Sequence, residues 1–79
     1  MSGAWAPLAE ALAEFTKAIK INPEYGDAYY YRGLVKKELL DIKGAIEDYT
    51  KAIKINPNDG RAYSNRAILK EGRRDFQGA

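Results

Sequence analysis

The chain contains no cysteine and no histidine. That excludes disulfides, removes the two commonest soft metal ligands, and takes away both the usual nucleophile and the side chain that titrates near neutral pH. Neither a metal nor a cofactor is expected. No apolar run approaches the roughly 20 residues of a membrane-spanning helix. The opening Met1-Ser2-Gly3-Ala4-Trp5-Ala6 has neither a basic n-region nor a long apolar core, so it does not read as a secretory signal. A cytoplasmic setting is expected. The sequence is also short of charge of one sign. Its 13 Lys and Arg against 11 Asp and Glu leave a net +2, and the signs are interspersed. Such a surface reads as a solvated face rather than a phosphate-binding stripe. No glycine-rich phosphate loop is present. Nucleic acid and membrane are therefore not expected as partners. The acids Asp41 and Glu47-Asp48 read as caps and surface, so catalysis is not expected.

What is present is a repeat. The stretch Thr16-Lys17-Ala18-Ile19-Lys20-Ile21-Asn22-Pro23 returns letter for letter as Thr50-Lys51-Ala52-Ile53-Lys54-Ile55-Asn56-Pro57, an offset of 34 residues. Sliding the chain by that offset pairs residues 9–45 with 43–79, and 17 of those 37 pairs are identical. A period of this size is the signature of a stacked repeat architecture. Composition agrees with a soluble, folded chain: 46% hydrophobic and 30% charged. Seventy-nine residues make one small domain. Such a domain buries only about 60% of the surface its unfolded chain exposes, so its stability margin is thin.

The spacing of apolar residues predicts four helices. Over 7–21, Leu8, Ala11, Leu12, Phe15, Ala18 and Ile19 recur every three or four residues and form one stripe. Pro7 suits the first turn, and Asn22-Pro23 ends the helix. A second helix is predicted over 24–40, with Gly33 in its middle. That glycine costs about 1 kcal/mol against alanine unless a neighbouring helix approaches closely. Asp41 is a good N-cap for a third helix, 42–55, whose Ile42, Ala45, Ile46, Tyr49, Ala52 and Ile53 repeat the first stripe. A fourth is predicted over 61–71, weakened by Gly72, with Asp75 as the cap of a fifth that the sequence does not complete. Connections of two to four residues make neighbouring helices antiparallel.

These motifs resemble the tetratricopeptide repeat (TPR) family. The best-matching unit is Gly26–Asp59: Ala28-Tyr29 opening helix A, Gly33 in its middle, Ala45 early in helix B, then Tyr49, Ala52 and Pro57. The run Ala28-Tyr29-Tyr30-Tyr31-Arg32-Gly33 followed by Gly44 to Ile53 looks like a common bacterial form of the repeat. Four positions depart from the pattern. Leu40 stands where a helix-ending glycine is usual, Ala67 replaces the second glycine, and Arg32 and Arg66 stand where an apolar residue is commoner. The resemblance implies an all-α TPR-type α-solenoid of antiparallel helix pairs. It holds about two repeats in an out-of-phase frame, helices B-A-B-A plus a short tail. The divisions are a lead-in at 1–6, helix B of a partial repeat at 7–25, a complete repeat at 26–59, and helix A with the start of a helix B at 60–79. The alanine-rich lead-in with its unrepeated Trp5 reads as chosen, as in a designed or engineered fragment, more than as a piece cut from a longer array.

Two binding surfaces follow from the resemblance. The family holds extended peptides on the concave face lined by A helices, here Tyr30, Tyr31, Leu34, Lys37, Arg61, Asn65 and Ile68. Some members clamp a peptide carboxylate with residues from three A helices. Only two exist here, and Tyr30, Tyr31 and Leu34 occupy clamp positions, so that speciality is not implied. The second surface is the pair of uncapped ends: Leu8, Leu12, Phe15 and Ile19 on one, Tyr63 and Leu69 on the other. Solenoids normally hide such ends under polar caps. A non-catalytic protein–protein interaction scaffold that self-associates into a homo-oligomer is expected, with a monomeric peptide-binding module as the alternative. One obstacle is visible in the numbering: residues 5–11 and 73–79 occupy equivalent repeat positions, so in a head-to-tail stack the tail is expected to move or fray.

Overall fold

The computed structural model describes the backbone of residues 5–78 and the side chains of 6–72. Four helices follow one another: α1 (Trp5–Ile21), α2 (Gly26–Glu38), α3 (Ile42–Ile55) and α4 (Gly60–Gly78). Each packs on its sequence neighbours, α1 on α2, α2 on α3 and α3 on α4. The result is an all-α solenoid of the B-A-B-A order expected. Among the described residues no helix is long and apolar enough to cross a membrane.

The repeat extends to individual hydrogen bonds. In the α1–α2 turn the Glu24 N–H donates to Asn22 Oδ1 (3.1 Å), and in the α3–α4 turn the Asn58 N–H donates to Asn56 Oδ1 (3.2 Å). Each asparagine thus mimics a backbone turn while the following proline bars further helix. Asp41 caps α3 by accepting the Gly44 N–H at 3.0 Å. Asp59 caps α4: its Oδ1 accepts the N–H groups of Arg61 (3.1 Å) and Ala62 (3.3 Å). Its repeat equivalent, Tyr25, supplies no side-chain cap to α2.

Two expectations are corrected. Helix α2 stops at Glu38 rather than 40, because Leu40 turns left-handed (φ 67°). The Leu40 N–H reaches the Lys37 carbonyl (2.9 Å) and the Asp41 N–H the Lys36 carbonyl (2.8 Å), the bond pair of a Schellman turn. The second correction concerns the last residues. Helix α4 does not stop at Gly72, and Asp75 does not start a fifth helix; α4 runs unbroken to Gly78. A left-handed residue other than glycine costs about 1–2 kcal/mol. At Leu40 the return of α3 onto α2 offsets that cost. After Arg74, which is Leu40's repeat equivalent, no returning helix is present among the described residues, and the backbone keeps its helical hydrogen bonds. The tail therefore runs on along α4 instead of folding back beside it. Residues 1–4 of the lead-in lie outside the described residues, while Trp5 and Ala6 already belong to α1.

The core lies between α2, α3 and α4: Tyr30, Ala45, Tyr49, Ala52, Ile53 and Ala62, with Tyr29, Leu34 and Leu69 packed against it. Tyr49 is its centre and is wholly buried. Its hydroxyl has no hydrogen-bond partner among the described residues. Burial, which disfavours the phenolate, pushes its pKa up to about 12 from 10.0. A group whose folded pKa is raised adds stability that is present below the unfolded value and is lost as pH climbs through the folded one. Two units correspond to roughly 2–3 kcal/mol. Urea melts between pH 9 and pH 12 should show this loss in the wild type and a shallower decline in Tyr49→Phe. At pH 7 that variant should match or exceed the wild type, by up to about 1 kcal/mol, since it removes an unsatisfied buried hydroxyl.

Candidate protein-binding surfaces

The concave face brings most of its expected residues together, but they are already occupied with one another. Arg61 is the hub. Its Nη2 reaches Asp27 Oδ1 at 2.9 Å and its Nε reaches Asp59 Oδ1 at 3.1 Å. The guanidinium lies 4.3 Å from the Tyr30 ring centroid and 5.8 Å from that of Tyr31. Bonding to Asp59 first, then to Asp27, raises the Arg61 pKa above its ordinary value. Asp59 is lowered, chiefly by the Arg61 hydrogen bond against the opposing effect of burial. Asn65 donates to the Tyr30 hydroxyl at 3.1 Å and to the Arg61 carbonyl at 2.9 Å. Tyr30 corrects the sequence reading: it is buried, edge-on to Tyr31 and tilted against Tyr49. Leu34 packs against the core, and Lys37 is half-buried, 4.0 Å from Glu38. Tyr31 and Ile68 are the exposed apolar members, Ile68 at 67%.

The two ends differ from expectation in one residue. Leu69 belongs to the core side of α4 and does not face outward. Tyr63 is exposed, as is Ala67. On α1, Leu8, Leu12, Phe15 and Ile19 are half-buried, with Phe15 stacked on Tyr31 at 5.8 Å. Their repeat equivalents on α3 include Ile46, Tyr49 and Ile53, which are buried. The difference is one neighbour: among the described residues α3 packs closely on both α2 and α4, and α1 packs closely on α2.

Between the helices lies an ionic network that the sequence reading missed. Arg32 of α2 grips Asp48 of α3 with Nε at 2.7 Å and Nη2 at 2.8 Å, and Lys36 Nζ adds a contact at 3.2 Å. Asp48 is buried, not a surface acid, and Lys36 is not simply solvated. The Asp48 hydrogen bond raises the Arg32 pKa above its ordinary value. Arg32 Nη1 also donates backward to Thr16 Oγ1 of α1 at 3.3 Å. One period later Arg66 Nη1 donates to Thr50 Oγ1 of α3 at 3.1 Å. The available signal was the pairing of an arginine that recurs at 34 residues with a carboxylate that recurs too, Glu14 and Asp48.

With the helix order, the caps and the core established, comparison with known families is informative. The model of the tetratricopeptide repeat matches residues 26–59, the unit from the start of α2 through the turn that follows α3. Residues 26–59 are a tetratricopeptide repeat. No curated protein matches it. Tetratricopeptide repeats generally mediate protein–protein interactions.

Proposed function

We propose that this TPR chain is a non-catalytic scaffold that self-associates through its open end faces. One observation carries the reading. The apolar stripe that is mostly buried on α3 is only half-buried on α1, although its spacing is the same and its residue types are similar. Burying apolar surface is worth roughly 25 cal/mol per Å², so a stripe built for two neighbours and given one is a binding surface. The opposite end offers Tyr63 and Ala67 on α4, at the repeat positions of Tyr29 and Gly33. Inside the chain those positions on α2 face α3, so the two ends are complementary.

Light scattering over a dilution series tests this. The wild type is expected to exceed one chain mass at high concentration and to dissociate on dilution. Phe15→Glu should abolish assembly, though it also removes the stack on Tyr31. Tyr63→Glu, at an exposed site, should weaken assembly about tenfold while leaving the circular dichroism unchanged. A wild type that is monomeric at every concentration overturns the reading. The concave face would then be the alternative. Exposed Tyr31 and Ile68 favour it. The prior engagement of Arg61 and Asn65 within the chain weighs against it.

A further inference from the structure

The internal network shows what the open face of α4 lacks. On α2, Arg32 is held from behind by Thr16 and from in front by Asp48, with Lys36 beside it. On α4, Arg66 is held from behind by Thr50 in the same way, and Lys70 stands at the position of Lys36. The carboxylate in front is missing: among the described residues neither Arg66 nor Lys70 makes an ion pair. The residue one period before Asp48 is Glu14, on α1. It is exposed and likewise makes no ion pair among the described residues.

We infer that α1 of a second copy docks beside α4, head to tail, with its Glu14 between Arg66 and Lys70 in the place Asp48 takes between Arg32 and Lys36. The inference rests on the self-association reading and fixes its partner, direction and register. Two more pairs fall into line at the same offset. Lys51 lies 5.9 Å over the Tyr29 ring, and one period on the second copy's Lys17 faces Tyr63. Tyr49 meets Gly33, and correspondingly Phe15 of the second copy meets Ala67. Phenylalanine there brings no hydroxyl to bury, unlike Tyr49. The Ala67 methyl stands where a Cβ on Gly33 would lie only 2.6 Å from Tyr49 Cε1. The docked ring must therefore sit further out than Tyr49 does, and the copy is close but not identical.

Charge decides the direction. A two-fold pairing of like ends puts Glu14 in one interface and Arg66 with Lys70 in another, so the contact between them cannot form. Head-to-tail contact pairs opposite signs. It is heterologous, so it yields a ring or a filament according to the rotation between copies. The straight course of α4 through Gly78 removes the obstacle posed by the equivalent numbering of 5–11 and 73–79, because the tail does not turn back into the place of the docked helix.

Sedimentation velocity on two charge-reversed variants tests the register. Glu14→Lys alone and Arg66→Glu/Lys70→Glu alone should each self-associate at least about tenfold more weakly than the wild type. Mixed in equal amounts they should recover to within about threefold of it, since each now supplies the charge the other needs. Lys70→Glu alone, at an exposed residue with no ion pair among the described residues, serves if the double variant fails to fold. Ala67→Gly should tighten assembly by letting the Phe15 ring approach. If Glu14→Lys assembles as tightly as the wild type, or the mixture no better than its components, the register is wrong although self-association stands. A monomeric wild type removes the underlying reading instead. Tighter assembly of Glu14→Lys would indicate the two-fold pairing of α1 ends and overturn the head-to-tail direction.

Discussion

Asp48→Ala is expected to lower the stability of the dilute chain by about 2–3 kcal/mol, visible as a fall in the urea midpoint at unchanged slope. Deleting one partner of a fully buried pair costs roughly 3–5 kcal/mol, because the other charge is left desolvated and unpaired. Here the estimate is lower. Asp48 is 5% exposed, but the Arg32 and Lys36 side chains retain 18% and 21% exposure and can turn toward water. The loss still matters for a small domain, whose whole stability is on the order of 5 kcal/mol. The double variant Arg32→Met/Asp48→Leu should recover most of it, since a well-packed apolar pair of similar volume often equals or exceeds a buried ion pair. If Asp48→Ala changes the midpoint by less than about 0.5 kcal/mol, the network does not hold α2 to α3. Dilution matters in these measurements, because assembly stabilises any chain that binds its partner only when folded.

Gly33→Ala is expected to destabilise by about 1–2 kcal/mol, against the sign that helix propensity gives. Glycine in a helix interior is worse than alanine by about 1 kcal/mol. The new Cβ, however, would lie 2.6 and 2.8 Å from Tyr49 Cε1 and Cδ1, and 3.3 Å from the Ala45 carbonyl oxygen. Tyr49 is wholly enclosed and cannot swing away. Overpacking of that kind costs roughly 1–3 kcal/mol and outweighs the propensity gain. The companion Gly33→Ala/Tyr49→Leu should be less destabilised than the sum of its single changes, because leucine yields the space. Thermal melts of the four chains decide it. A Gly33→Ala variant more stable than the wild type would mean that α2 and α3 are not held at this separation.

Much of the architecture was legible in the residues. The 34-residue period, the two Asn-Pro turns and the alternating stripes specify four consecutive helices with antiparallel neighbours. Gly33 was legible as a close approach because a helix interior tolerates glycine only for such a reason. The ionic network was not. Asp48 and Glu47 are adjacent acids with the same local propensities, and only the placement of α3 against α2 sends one inward and leaves the other exposed. Tyr30 and Tyr31 pose the same difficulty: neighbours on one helix, one is buried against Tyr49 and the other is stacked over Phe15 at the surface.

The last helix shows where local rules stop. Asp75 repeats Asp41, and by sequence both are good caps. Yet Leu40 bends and Arg74 does not, since a left-handed residue persists only where a returning helix offsets its strain. What the sequence by itself determined, then, is the repeat and the order of its helices. These are properties of periodicity, which each segment carries within itself. The tertiary structure alone decided which carboxylate is buried, which tyrosine is open and which arginine, among the described residues, still lacks an anion. Those depend on how many neighbours each helix has, and that number is a property of the packed assembly of helices.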